Sequence, residues 1–164
     1  MGFEFKGIDS LMAKLGALGG NVAKAATDGV NKTLMDITAD AKANAPEDTG
    51  QLRESIEPYG DAHKAKVQDG VISGAAGTAV EHGVYVEFGT GPVGEETPVA
   101  DKYPGDLSYT QKGWTYHSEK LDKFIHTNGQ PAQPFLWPAY EAHAQELPDN
   151  IKKAADIEVR GLTI

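Results

Sequence analysis

Between Leu11 and Ala41 the apolar residues fall at Leu11, Leu15, Leu18, Val22, Ala26, Val30, Leu34, Ile37 and Ala41, steps of three or four that place them on one helical face. No other stretch of the chain is so periodic, and it commits the first quarter of the molecule to helix. Gly16, Gly19, Gly20 and Gly29 each lower helix stability, which predicts a break near Gly19-Gly20 and a long helix from about Val22 to Asn44. Pro46 marks its end, because the residue before a proline is disfavoured in helical conformation. A stripe this rich in small residues calls for close packing against a sheet or another helix; a face turned to a sister subunit is the alternative. Ahead of it, Phe3-Glu4-Phe5 alternates like a short edge strand, and Asp9 or Ser10 is placed to cap a first helical segment.

After the helix, Asp48-Thr49-Gly50 reads as a tight turn in which Gly50 takes positive φ. Gln51 to Tyr59 then alternates as a strand, and Ala65, Val67, Asp69 and Val71 continue the alternation in a second, with Gly60-Asp61-Ala62-His63 as the hairpin loop. Ser73 to Thr78 carries too many glycines and alanines for an assignment. Tyr85-Val86-Glu87-Phe88-Gly89-Thr90 is a short apolar element holding one carboxylate and closed by a glycine, with strand and single helical turn equally compatible over Val84 to Phe88. Arg53 and Glu87 each stand inside a packed-looking motif. They are expected to pair, bracing the strand after the turn against the central element, the alternative being two exposed charges.

Gly91 to Gln133 is long for a connection within a compact domain and rich in Gly, Pro and charge, the pattern of a binding arm, a lid or a disordered segment. Gly113-Trp114-Thr115-Tyr116-His117 within it has the composition of one side of a hairpin, and its aromatic pair forms either a small satellite core or a partner contact. The last helix is expected to begin near Pro138 and to run through Pro148 with a kink, since Tyr140, Ala144, Leu147, Ile151, Ala154 and Glu158 keep one helical phase. Ile157, Val159, Leu162 and Ile164 suit a terminal strand or a tail. The 164 residues are expected to form one domain, with an extended arm at about 91–133.

Charge and motif content narrow the function. With 24 acidic against 15 basic side chains the net charge is −9, which repels nucleic-acid phosphates and argues against stable duplex binding. No cysteine is present, so thiolate chemistry, disulfides and cysteine zinc sites are excluded. No apolar run reaches the ~20 residues of a membrane span, the N-terminus lacks a signal-peptide pattern, and Lys6 spoils a myristoylation motif after Met1-Gly2. A soluble protein is expected. Gly89-Thr90-Gly91-Pro92-Val93-Gly94 matches a dinucleotide fingerprint in letters, but Pro98, Pro104 and the polar residues between them offer no following helix to hold a pyrophosphate. His63, His82, His117, His126 and His143 lack the spacing by which two histidines grip a metal from one helix, and read as surface residues. No Gly-x-Ser-x-Gly frame exists, and the many carboxylates read as solvated charge. No catalytic residue, cofactor site or metal site is expected.

Three motifs taken together carry a resemblance. Ala45-Pro46-Glu47-Asp48-Thr49-Gly50-Gln51-Leu52-Arg53-Glu54-Ser55-Ile56, Tyr85-Val86-Glu87-Phe88-Gly89-Thr90 and Gly129 to Ala139, with Pro134, Phe135, Leu136 and Pro138, occur in order and at suitable separations. In this the chain resembles the tail-component, or neck, family of long-tailed bacteriophages. The family's usual Tyr-Ala before the central motif is His82-Gly83 here, and Pro148 stands in a final helix that is commonly continuous. The resemblance implies an α+β fold, a small curved antiparallel sheet packed by the long N-terminal and C-terminal helices. It also implies a non-enzymatic virion protein of the head-tail junction, a homo-oligomeric ring docking to connector and tail-tube or tail-terminator proteins, with the genome passing through its lumen. The structural and interaction residues it points to are Pro46, Asp48, Thr49, Gly50, Leu52, Arg53, Tyr85, Glu87, Phe88, Gly89, Thr90, Trp114, Pro134, Phe135, Leu136 and Pro138. The alternatives are a virion-associated cell-wall hydrolase and an assembly factor that never enters the particle.

Overall fold

The structure is a computed structural model that describes residues 20–47, 50–59, 65–68, 71–96 and 107–161. The proposed edge strand at Phe3–Phe5, the first helical segment, Asp48, Thr49 and the loop around Gly60–His63 lie outside these residues.

The expected long helix is present as α1, Gly20–Asn44. Its stripe is the spine of the core: Ala26, Val30, Leu34, Ile37 and Ala41 are all buried, while Lys24, Asp28, Lys32 and Asp36 pair at i,i+4 outside that stripe. Against α1 pack the two C-terminal helices, α5 (Leu136–Ala144) and α6 (Leu147–Gly161). Gly29 sets the spacing to α6: a Cβ there would stand 2.5 Å from Ile151 Cα, so only hydrogen lets the two backbones meet. Asn150 Nδ2 donates to Thr33 Oγ1 at 3.0 Å in the same contact, keeping the buried threonine hydroxyl satisfied.

The fold is α+β with every described strand pair antiparallel. The described strands form three two-stranded pieces: β1 (Ile56–Tyr59) with β4 (Ala75–Thr78), β2 (Lys66–Gln68) with β3 (Val71–Ser73), and β5 (Trp114–Ser118) with β6 (Lys123–Thr127). Ile56, Ile72 and Ala76 point into the core beside α1. Gly74, between β3 and β4, sits where a Cβ would meet Leu34 Cδ1 at 2.5 Å. The short glycine and alanine run that resisted assignment is thus a strand whose small side chains let the sheet lie flush on the helix.

Several expectations change. Gln51–Ser55 is a helical turn, α2, and the strand begins only at Ile56. Gly50 has the positive φ expected, 79°, and its carbonyl accepts from Glu54 N at 3.0 Å, which winds the following residues into helix. The single strand read over Ala65 to Val71 is two strands, β2 and β3, paired antiparallel. Of the two forms open to Val84 to Phe88 the helical one is present, within α3 (His82–Phe88), and Gly91–Glu95 forms a five-residue helix, α4, where none was expected. The C-terminal region is two helices and not one kinked helix. Gln145 and Glu146 form the turn between them, and Pro148 falls in the first turn of α6, where its missing N–H has no helical acceptor to lose. The backbone stays helical to Gly161, so a strand from Ile157 is ruled out. α5 starts at Leu136, ahead of Pro138, which occupies its first turn.

Candidate functional site

The central motif lies where three distant segments meet. α3 carries Glu87 and Phe88 inward, exposes Val84 and Tyr85, and ends at Gly89. Gly89 has φ 73°, and a Cβ on it would stand 2.7 Å from Ala132 N, Gln130 O and Gly94 Cα alike. The chain then runs extended through Thr90, which pairs with Gln130 in an isolated antiparallel bridge, Thr90 N donating to Gln130 O at 3.0 Å and Gln130 N to Thr90 O at 3.2 Å. Gln133 N donates to Val86 O at 2.8 Å, and Gln130 Nε2 to Tyr85 O at 2.9 Å. These four hydrogen bonds help to stitch the second motif to the third.

Glu87 is the centre of this junction and is fully buried. Oε2 accepts from the backbone amides of Phe135 at 2.8 Å and Leu136 at 2.9 Å, and Oε1 accepts from Trp137 N at 2.8 Å. These are amides of the first turn of α5, which the helix itself leaves without acceptors; no side chain of the N-cap residue Phe135 fills that role. A carboxylate from another helix does so, placed where the helix dipole is positive. Burial pushes the Glu87 carboxyl above its ordinary range, and the three amide bonds pull it back.

The expected Arg53–Glu87 pair is not formed. Arg53 Nη1 meets Glu47 Oε1 at 3.0 Å and Nη2 meets Ala45 O at 3.4 Å, so the guanidinium ties α2 back to the segment that follows α1. Glu87 is charge-compensated by amides instead of a cation. The first motif joins the other two through packing: a Cβ at Gly83 would stand 2.6 Å from Thr78 Cγ2, 3.2 Å from Leu52 Cδ1 and 3.9 Å from the Phe135 ring. Those distances explain why glycine precedes the central motif here. Ser55 Oγ and Thr78 Oγ1, 2.5 Å apart, close the same corner.

From this junction projects the β5–β6 hairpin, which confirms the extended reading of Trp114 to His117. Its register runs from Trp114 opposite Thr127 to Ser118 opposite Lys123, with Asp122 at φ 47° in the turn. The aromatic pair forms no satellite core: Trp114, Tyr116, Leu121 and Phe124 are all exposed, Phe124 by 75%. At the hairpin base Trp114 joins Tyr85, Val86, Thr90 and Gln130 around an open, mostly apolar hollow. Tyr109 Oη donates to Phe88 O at 3.0 Å, fastening the segment before the hairpin to the end of α3.

A second polar constellation lies between α1 and the C-terminal end of α5. His143, in the last turn of α5, has one ring nitrogen 2.7 Å from Asp40 Oδ2 and the other 3.0 Å from Glu146 Oε2, its side chain only 17% exposed. Hydrogen bonding to Glu146 raises its pKa, with Asp40 acting in the same direction and burial against both. His143 is thus not the free surface histidine that spacing within one helix suggested. The Asp36–Asp40 and His143–Glu146 spacings carry the signal, but only the α1–α5 contact brings the two pairs together. His82, His117 and His126 are exposed as expected, and His63 lies outside the described residues.

Comparison with known families favours a structural reading. The profile of the family described as "Bacteriophage HK97-gp10, putative tail-component" matches residues 9–89. Over these residues, just under half of its length, the chain is similar to that family of phage tail components. No curated protein and no solved structure matches the chain. The matched region covers α1, the turn at Gly50, both β1–β4 and β2–β3 pairs, and α3 through Gly89. It stops at the junction, so the hairpin and the α5–α6 pair that receives Glu87 lie beyond it.

The expected structural residues that the structure describes fall into several groups. Leu52, Glu87, Phe88, Phe135 and Leu136 are buried, Leu52, Phe135 and Leu136 in one core cluster. Gly89 and Thr90 form the connection, and Pro134 and Pro138 flank the start of α5. Pro46, Gly50 and Arg53 surround the end of α1. Tyr85 and Trp114 face outward together. No helix among the described residues is long and apolar enough to cross a membrane.

Proposed function

We propose that this chain is a phage tail component, a structural unit of the head-tail junction, assembling as a ring of identical copies that docks to the connector on one side and to tail-tube or tail-terminator proteins on the other. The observation that carries the reading is the hairpin: it stands on a junction braced by a buried carboxylate, yet leaves Trp114, Tyr116, Leu121 and above all Phe124 exposed. Apolar side chains exposed on a well-anchored arm suit contact with another protein surface. Rings arise when one surface of a subunit meets a different surface of the next and the rotation closes. The net charge of −9 suits a lumen through which a genome passes, since fixed negative charge keeps the duplex from adhering. In this reading the protein is not an enzyme, works within the virion, and folds as one unit with its arm at about 91–133.

Size-exclusion chromatography with light scattering over a concentration series tests the assembly. Self-association is expected to grow with concentration in the native protein and to be lost when Phe124 and Leu121 are both replaced by aspartate. Association unchanged by those substitutions would remove the arm from the interface.

A further inference from the structure

We infer that the apolar hollow at the base of the β5–β6 hairpin receives the hairpin tip of a second copy of this chain, with Phe124 and Leu121 of one copy seated against Tyr85 and Trp114 of the next. The inference rests on the ring reading above and names the surface that the arm meets. Both halves of the contact are present on one molecule. At the base, His82, Tyr85, Val86 and Trp114 border an open space of about 720 Å³, in which the Tyr85 and Trp114 rings are left to solvent. At the tip, Phe124 and Leu121 are the most exposed large apolar side chains of the hairpin. A hairpin cannot fill its own hollow. Residues paired across two strands share a face and successive residues alternate, so Phe124, opposite His117, lies on the face away from Trp114, which is opposite Thr127. The His117 ring packs edge-on against Phe124 with centroids 5.1 Å apart and holds it there. Three residues of strand, about 10 Å, also separate the two positions, and Leu121 lies farther out in the turn. A knob and a recess that share a chain but cannot meet within it make a head-to-tail contact, the kind from which rings are built.

Charge complementarity selects a second copy as the occupant. The segment 71–96, which supplies α3 and α4 beside the hollow, contains no lysine or arginine, while Glu81, Glu95 and Glu96 are exposed. Glu95 Oε2 accepts from Gln111 Nε2 at 2.6 Å, next to Thr110 on the rim of the hollow. The hairpin has the opposite balance: over residues 112–127 Lys112, Lys120 and Lys123 stand against Glu119 and Asp122, a balance of +1 in a chain of −9. Asp122 is turned back to His117 Nε2 at 3.4 Å, which leaves Lys120 and Lys123 on either side of Leu121 and next to Phe124. An apolar tip flanked by lysines thus matches an apolar recess rimmed by carboxylates, and such matching fixes register and partner choice.

The chain has no cysteine, so introduced thiols report single contacts. Full-length Phe124→Cys and Tyr85→Cys are mixed in equal amounts, oxidised with diamide and resolved by non-reducing electrophoresis and peptide mass spectrometry. A disulfide-linked dimer of one variant with the other is expected, with far less product from either variant alone. In a concentration series by light scattering, Tyr85→Asp combined with Trp114→Asp is expected to raise the dissociation constant of self-association at least about 10-fold, since Tyr and Trp at an interface centre carry much of its energy. Met35→Asp, at an exposed apolar position of α1, is expected to change nothing. Tyr85, Trp114 and Met35 are all exposed, and circular dichroism of each variant separates lost association from lost folding. Association untouched by the Tyr85 and Trp114 substitutions, or disulfides formed chiefly between two Phe124→Cys copies, would overturn this pairing while leaving the ring in place. A native chain that stays monomeric at every concentration would remove both and leave the hollow to a different protein.

Discussion

Glu87 Oε2 lies 2.8 Å from the backbone amide of Phe135, forty-eight residues away, and both residues are completely excluded from water. The carboxylate of one helix thereby caps another. Removing it leaves three amides of a buried helix start without acceptors, and each such loss typically costs about 1–3 kcal/mol. Glu87→Ala is therefore expected to destabilise the protein by at least ~3 kcal/mol in urea unfolding. Glu87→Gln keeps one acceptor oxygen but turns an NH₂ group toward a donor, and is expected to fall between Ala and native. A loss below about 1 kcal/mol for Ala would contradict the capping role.

The same group makes a pH prediction. Burial raises the Glu87 pKa in the folded state above the unfolded value, so the folded chain holds the proton more tightly. Its contribution to stability is then fully present below the unfolded carboxyl range and is lost as pH rises through the folded value. Unfolding free energies of native protein and Glu87→Gln, measured side by side from pH 4 upward, are expected to show native protein losing its advantage as pH rises and then levelling. A difference that grows with pH would reverse the assigned direction.

Gly50 and Gly89 separate two kinds of glycine. Both have φ between 70° and 80°, but nothing lies within 4 Å of a Cβ at Gly50, whereas three backbone atoms lie at 2.7 Å from one at Gly89. Gly50→Ala is expected to cost about 1–2 kcal/mol, the left-handed strain alone. Gly89→Ala adds collision with backbone that cannot rotate away, and is expected to cost clearly more. Chemical denaturation of the two variants checks the order; equal losses would mean that the approach of the Gln130–Ala132 segment is not tight.

Gly29 makes a parallel case in the helix packing. Alanine is the better helix former by nearly 1 kcal/mol, so Gly29→Ala stabilises an unpacked α1. In the fold its Cβ would stand 2.5 Å from Ile151 Cα, and overpacking of this kind costs about 1–3 kcal/mol. A net loss of stability is expected in thermal unfolding, and a raised Tm would show that α6 does not sit against α1 at this point.

What the sequence disclosed follows from how local each cause was. The stripe from Ala26 to Ala41, the helix end before Pro46 and the positive φ at Gly50 are written in nearest neighbours and were legible. Gln51–Ser55 misled because its polar and apolar residues alternate well enough to mimic a strand, while Gly50 O and Glu54 N close a helical turn. The sequence marks Glu87 as a buried carboxylate, but not the three amides that it meets in place of Arg53. A backbone amide has no letter in the sequence, so a carboxylate capping a distant helix cannot be told from one awaiting a cation. The Asp40–His143–Glu146 cluster stayed hidden for a related reason: its halves are more than a hundred residues apart and meet only because α5 packs on α1.

Quantitative mass spectrometry of purified phage particles tests the central claim most directly. A structural ring of the head-tail junction is expected to appear in the particle at a fixed, multiple copy number relative to the connector, in full and empty particles alike. Particles that infect normally but contain none of this chain would contradict it and leave an assembly factor in its place.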